Sequence, residues 1–368
     1  MNAGARRPRV LLLASGPLDR RDGADTELAA AVADAVTDVD FTWFTRWPRP
    51  RGPRFVERGR PVTMPALEGL PQRAQRLQTA VAAAVVARRA DLVHAVLTVD
   101  EAFPLFSRVL PSLLRGTPVL HTVPGVQDAR LLRRSRPLGQ TVALSSATAR
   151  ELSAAGFGQV LVVPPVVRLD RWPYTPRPSG TTPRVLVIGH HGPHGGAEEA
   201  VMAAGVAARA GARFRLTLAL RPRPGHPART SGASVLALAE REGLRDVEVL
   251  GPVRDMRRLV ASADVLLFVP RLLGVKSDVP LTVLEALSTG RPVILGDHPQ
   301  FAALGDTVLR APVGDARRTG HLLRQLLDRP HWWQVLSEQG RATVEERFGP
   351  ERFAARYVRL YRELLYHP

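Results

Sequence analysis

The chain of 368 residues has no cysteine, which excludes a disulfide framework, a thiol nucleophile and a thiolate zinc site. It has one lysine, Lys276; every other basic residue, histidine aside, is arginine. No apolar stretch is long enough to cross a bilayer. Residues 10–14 follow Arg6, Arg7 and Arg9 as the apolar part of a signal peptide would. The run is too short for that role and lacks a good cleavage site. It reads as a first core strand, and the chain as cytoplasmic, with peripheral contact at the inner face of a membrane left open. Three signature loops are missing as well. SGPLDRRDG, after the first strand, lacks GxGxxG, so dinucleotide redox chemistry is poorly supported. There is no GxxxxGK[ST] phosphate loop and no GxSxG nucleophile elbow.

What remains is ordinary globular composition, 45% hydrophobic and 23% charged, in a chain better suited to two domains than one. The net charge of +17 fits either a GC-rich coding bias or an anionic partner. Two arginine-rich runs lie in the first half: RWPRPRGPR, from Arg46 to Arg54, and RLLRRSR, from Arg130 to Arg136. Neither interleaves aromatics as a single-strand binder does, so no nucleic-acid partner is expected. Contact with an anionic membrane surface through these two runs is the expectation kept. Oligomeric state is not legible.

Short apolar runs alternate with helical patterns throughout, which predicts α/β architecture with parallel, doubly wound sheets. Strands are predicted at 9–15, 40–44, 91–97, 118–123, 141–145 and 160–163, with helices at 26–36, 72–90, 103–114 and 147–155. The Pro- and Arg-rich segment reaching residue 53 reads as loop. Prolines then crowd residues 164–183, where an interdomain linker is placed at 171–182. The pattern restarts with RVLVIG at 184–189 and runs to a helix at 331–347; a last helix, 350–366, has an apolar face of Phe353, Tyr357, Leu360, Tyr361 and Leu364. The predicted domains are 1–170, 183–347 and a C-terminal helix within 348–368.

DVLLFVPRLLGVKSDVPLTVLEALSTGRPVILGD, from Asp264 to Asp297, reads as strand, loop, helix, strand. Asp278 is expected to cap the helix, Pro280 to sit in its first turn and Gly290 to end it. Glu285 then lies on a helix whose N-terminus faces the carboxyl ends of a parallel sheet, where open α/β sheets bind ligands. GHHGPHGG, with His190, His191 and His194, reads as a glycine-rich loop approaching a phosphate better than as a metal site, because no carboxylates stand at ligand spacing.

These segments together resemble GT-B-fold retaining glycosyltransferases of family 4, the glycosyl transferases group 1. RVLVIGHHGPHGGAEEAVMAA resembles the family's opening strand, phosphate loop and helix; VEVLGPVRDMRRLVASADVLLFVP its nucleobase-flanking turn; DVPLTVLEALSTGRPVI its E-A-x-x-x-G-x-P-V segment; VLVVPPVVRLDRW the stretch before its linker; and ERFGPERFAARYVRLYREL its C-terminal helix. The resemblance implies two Rossmann-like domains facing across a cleft, with the last helix crossing back to the first domain. It implies a nucleotide-sugar donor in the C-terminal half, an acceptor in the N-terminal half, retention of configuration, and no metal or other cofactor. Donor-binding positions carried over are Gly189, His190, His194, Gly195, Val253, Arg254, Ser277, Asp278, Leu281, Thr282 and Glu285, the last on the ribose hydroxyls. Gly16, Arg20, Arg21 and Gly23 fall on the acceptor side.

The chain departs from the family pattern in three places. His190 and His194 stand where an arginine and a lysine are usual, so Lys276, Arg254 or the Arg20–Arg21 pair would have to balance a diphosphate. Ser277 stands eight residues before Glu285, where the first glutamate of the family pair belongs, and Asp278 is one residue off. The family's T-x-H becomes Thr122, Val123 and Pro124, so His121 or His94 could face the acceptor, or either could be a core histidine. With Lys276, these two histidines complete the candidate catalytic set. A catalytically degenerate GT-B protein is the alternative reading, and a GT-B sugar-nucleotide epimerase the second.

Overall fold

The computed structural model describes residues 6–18, 23–47, 56, 58–65, 72–178, 182–191, 195–221, 228–273 and 277–366. The chain divides into two units. Unit 1 comprises residues 1–166, 274–278 and 350–368; unit 2 comprises residues 167–273 and 279–349.

Among the described residues, unit 1 is built on seven strands: β1 (Arg9–Leu13), β2 (Asp40–Trp47), β3 (Arg60–Pro65), β4 (Leu92–Val96), β5 (Val119–Val123), β6 (Gln140–Ala143) and β7 (Val160–Val162). They form one sheet in the order β3-β2-β1-β4-β5-β6-β7, with every pairing parallel. Its helices are α1 (Ala24–Ala35), α2 (Gln72–Ala87), α3 (Phe103–Leu114), α4 (Ala129–Leu132) and α5 (Ser146–Ala154). Side chains alternate across each strand. In β1, Val10 and Leu12 join the core under α1, whereas Leu11 and Leu13 join the core under α2, α3 and α5.

Among its described residues, unit 2 has six parallel strands: β8 (Arg184–His190), β9 (Arg215–Arg221), β10 (Val247–Leu250), β11 (Val265–Phe268), β12 (Val293–Gly296) and β13 (Leu309–Ala311). Their order is β10-β9-β8-β11-β12-β13. Helices α6 (Ala197–Arg209), α7 (Ala228–Arg241) and α10 (Ala316–Asp328) cover one face; α8 (Met256–Ala261), α9 (Leu281–Ser288) and the 3-10 segment Pro299–Thr307 cover the other. Helix α11 (Pro330–Arg347) reaches both cores, through Trp333 and Leu336 on one side and Val344 on the other. The last helix, α12 (Pro350–Tyr366), belongs to unit 1, where Phe353, Tyr357, Leu360 and Tyr361 pack beside α1.

Four sequence expectations differ from what is observed. Strand β3, RPVTMP, is not among the predicted strands; its two prolines are tolerated at a sheet edge, where β3 lies. The four-residue α4 within the arginine run is too short to give a period. The proline-rich segment expected as a linker is, from 167 to 178, a packed part of unit 2. Thr175 N–H donates to Thr289 O at 3.1 Å, and Arg177 pairs with Asp264 at 3.0 Å. Finally, α9 begins at Leu281 after Pro280, and Asp278 does not cap it.

Candidate functional site

In unit 2 the chain leaves β8 through α6 toward β9, and leaves β11 through α9 toward β12. The two helices diverge above the carboxyl ends of neighbouring strands β8 and β11, which opens a crevice at that point. Gly189 and His190 end β8. Gly196, the N-cap of α6, has φ +85°, and a Cβ there would lie 3.0 Å from the Pro270 nitrogen just beyond β11. Only glycine suits both the dihedral and the contact. Glu199, in the first turn of α6, is buried, and its Oε1 accepts from Arg271 Nε at 2.6 Å. Arg271 follows Pro270 directly and is more than half exposed. Among the described residues its terminal nitrogens make no hydrogen bond. His298, beyond β12, donates from Nε2 to the Pro270 carbonyl at 2.9 Å and tethers the ends of β11 and β12.

Leu281 and Thr282 form the half-buried first turn of α9, and Glu285 follows one turn later, also half-buried. The helix ends where Gly290 (φ +80°) donates to Leu287 O at 3.0 Å and Arg291 N–H donates to Ala286 O at 2.8 Å, a left-handed stop that fixes the register of Glu285. Arg291, fully buried, anchors that stop. Its guanidinium donates to Ala263 O at 3.1 Å and Pro176 O at 2.8 Å, and lies 5.4 Å from the Trp333 ring. Burial lowers its pKa to about 10, still well above neutrality. Val253 and Arg254 lie in the turn beyond β10, Val253 half-buried and Arg254 exposed, at the same carboxyl edge but two strands from β8.

Asp278 is not with this group: it belongs to unit 1 and is buried there. Its N–H donates to Pro124 O at 2.9 Å, and its Oδ2 accepts from Ser145 Oγ at 2.9 Å. Ser145 is the N-cap of α5, its Oγ also accepting from Thr148 N–H at 3.2 Å. Burial pushes the Asp278 carboxyl up to about 7; hydrogen bonds from Thr148 and Ser145 oppose this, and the Glu151 charge adds to it. The expected helix cap is therefore a buried partner of a serine 133 residues away.

The two candidate histidines occupy neighbouring strands of unit 1 but opposite faces of its sheet, so they do not share a site. His94 is fully buried under α12, with Nδ1 2.7 Å from Tyr361 Oη and Nε2 2.8 Å from Thr122 Oγ1. Thr122 Oγ1 in turn lies 3.0 Å from Tyr357 Oη. Both ring nitrogens are thus committed inside the core, the alternative reading for this residue. His121 is also fully buried, stacked on Phe103 with centroids 5.1 Å apart. Its Nε2 donates to Leu97 O at 3.1 Å, which leaves Nδ1 a bare acceptor with no partner among the described residues. Burial pushes His94 down to about 3, helped by the charge of His121, and His121 down to about 4 against its bond to Leu97. Both rings are neutral at physiological pH.

Gly16 lies in the bend after β1, and Gly23 caps α1, where its N–H donates to Thr26 Oγ1 at 3.2 Å. The buried Asp25 beside it accepts from the hydroxyl of Thr98 and, at 3.1 Å, from the Thr98 N–H. That pair locks the α1 N-terminus to the end of β4, at the point where unit 1 reverses strand order. Arg20, Arg21, His194, Lys276 and most of the Arg46–Arg54 run lie outside the described residues. Ser277 is half-buried. Among the described residues, no group of three His, Asp or Glu side chains could hold a metal ion. Sequence reasoning missed Glu199, Arg271, Ser145, Asp25 and His298. Only Ser145, followed by S-A-T at a helix start, carried a local signal.

Two doubly wound parallel sheets, one completed by the last helix of the chain, define the GT-B class of fold. Residues 183–329 match the family described as glycosyl transferases group 1. HepE of Anabaena, solved in complex with UDP and glucose, superposes with a TM-score of 0.75 at 13% identity over 98% of this chain and 100% of its own. A glycosyltransferase of Rickettsia africae gives 0.75 at 15%, covering 99% and 100%. Sucrose-phosphate synthase of Thermosynechococcus elongatus gives 0.75 at 19%, covering 98% and 99%. No curated protein matches the sequence.

Proposed function

We propose that the chain transfers a sugar from a nucleoside-diphosphate sugar to an acceptor hydroxyl, with retention and without a metal ion. The observation that carries this reading is Glu285, held one turn into α9 above the crevice of a unit that matches glycosyl transferases group 1. A carboxylate there accepts from two vicinal ribose hydroxyls. HepE, a structural neighbour, was solved with UDP-glucose, which favours a uridine donor here. The diphosphate would meet the loop after β8, with Gly189, His190 and Gly195, and the N-terminal turn of α9 at Leu281 and Thr282. Arg271 supplies a cation that the histidine loop does not: Glu199 holds it by Nε, and the terminal nitrogens remain for phosphate oxygens. Retention with no assigned enzymic nucleophile fits front-face attack, the departing phosphate taking the acceptor proton.

The test is a panel of UDP-, GDP-, ADP- and dTDP-sugars, with binding followed by thermal shift and turnover by released nucleotide. Stabilisation by one donor class and slow nucleotide release are expected. No binding by any donor overturns the reading. A donor that binds and is never consumed with any acceptor class converts it to a degenerate GT-B binding protein, the reading that the histidine loop and Ser277 favour.

A further inference from the structure

Helix α2 buries its small residues and exposes its large ones. Ala80, Ala83 and Ala87 face the sheet, while Leu77, Val81 and Val85 are 56%, 52% and 61% exposed. Their spacing of four residues, extended by the exposed Arg88, makes a single stripe along the outer side of the helix. Packing within unit 1 does not explain it, since a helix chosen only for the core would turn its aliphatic side chains inward. Leu105, 60% exposed, adds to the apolar surface from α3, which packs beside α2.

Within the three helices on this side of the sheet the charges have one sign, the nearest exposed acids being Glu101 before α3 and Asp128 at the N-cap of α4. From Gln72 to Arg89, from Phe103 to Arg115 and from Ala129 to Arg136 there are four, two and four arginines and no aspartate or glutamate. The third run is joined to α3: Arg108 Nη2 donates to Arg134 O at 3.4 Å, and Arg136 N–H donates to Ser107 Oγ at 3.1 Å. Among the described residues, Arg88, Arg89, Arg115, Arg130, Arg133, Arg134 and Arg136 are all exposed, and none makes an ion pair. Across the same sheet, α1 carries Asp25, Glu27 and Asp34 and no base.

We propose that the α2–α3–α4 face of unit 1 is a docking surface for an anionic lipid bilayer. The arginines meet lipid phosphates, and Leu77, Val81 and Val85 enter the headgroup boundary. Apolar and cationic groups on one helical face are what an interfacial helix requires, and neither alone gives stable attachment. A second protein of opposite charge would pair with the arginines but would leave the aliphatic stripe in water. A second copy of this chain would bring arginines against arginines.

The experiment is co-sedimentation of the full chain with vesicles of phosphatidylglycerol and phosphatidylcholine, or of phosphatidylcholine alone. Binding is expected only to the anionic vesicles. Leu77→Ser/Val81→Ser/Val85→Ser and Arg88→Glu/Arg89→Glu are each expected to cut the vesicle-bound fraction constant about tenfold. Tryptophan emission of Val81→Trp should shift to the blue with anionic vesicles. Melting temperature and nucleotide binding are measured on each variant, and both should stay at the wild-type value, so a failed fold or a failed donor site is seen separately. The proposal falls if neutral and anionic vesicles recover the protein equally, or if the triple serine variant binds as wild type. It falls equally if the wild type is a dimer by light scattering that the serine variant converts to a monomer.

Discussion

Tyr361 Oη lies 2.7 Å from Nδ1 of His94, across 267 residues of sequence, and so ties the last helix to the centre of the first sheet. Thr122 and Tyr357 extend the bond into a chain of four buried groups. The burial that silences the imidazole also makes it a measure of how well α12 is seated. Replacing Tyr361 by Phe leaves His94 Nδ1 buried without that partner. Urea denaturation should show a loss of about 1–3 kcal/mol.

The pH dependence of that core has a definite sign. The folded pKa values of His94 and His121 are depressed to about 3 and about 4, below the ordinary 6.5. Their contribution is present above pH 6.5 and is lost as the pH falls through that window, because only the unfolded chain takes up the protons. Each histidine should contribute a slope of about 1.4 kcal/mol per pH unit between roughly pH 6 and 4. His94→Gln should flatten the measured slope by that amount, and an unchanged slope would show that His94 is protonated in the fold.

Asp278 acts in the opposite direction. Its folded pKa is raised from 3.8 to about 7, so its contribution is complete below pH 3.8 and is lost as the pH rises through 7. The loss should total about 4 kcal/mol. Asp278→Asn keeps a group that can accept from Ser145 and removes the charge. Its stability relative to wild type should rise between about pH 4 and 7 and stay level above, as read by denaturant midpoints across that range.

Arg291 donates to the Ala263, Pro176 and Thr289 carbonyls, on three segments of unit 2. Arg291→Met should destabilise the protein by about 3 kcal/mol, because the hydrogen bonds of a buried guanidinium are lost and the buried Ala263 carbonyl is left without that donor. Lysine should not restore it, since a point charge on a flexible stem cannot reproduce the planar fork. Thermal melts of the three proteins side by side check both statements.

Glu285→Ala should weaken donor binding about tenfold or more, as expected for loss of charged hydrogen bonds to ligand. Arg271→Ala should weaken nucleoside-diphosphate binding and leave nucleoside binding unchanged. Isothermal titration with UDP and with uridine separates the two effects.

The strands were legible because parallel strands are buried on both faces and read as unbroken apolar runs, RVLLL and RVLVIG among them. Gly290 was legible because ending a helix is a local event with a residue preference. Asp278 was misread for the same reason: a polar residue three positions before a helix looks like a cap, and no local rule reveals a serine from another strand end.

The order of apolar runs and turns in the sequence determined two doubly wound sheets, and its motifs carry the likeness to glycosyl transferases group 1 over residues 183–329. Folding alone decided which charged and polar groups meet. Strand alternation sent His94 and His121 to opposite faces, the crossing of β11 past α6 joined Arg271 to Glu199, and the return of α12 enclosed His94. Such pairings depend on distance in space, and a chain's local pattern carries only distance along itself.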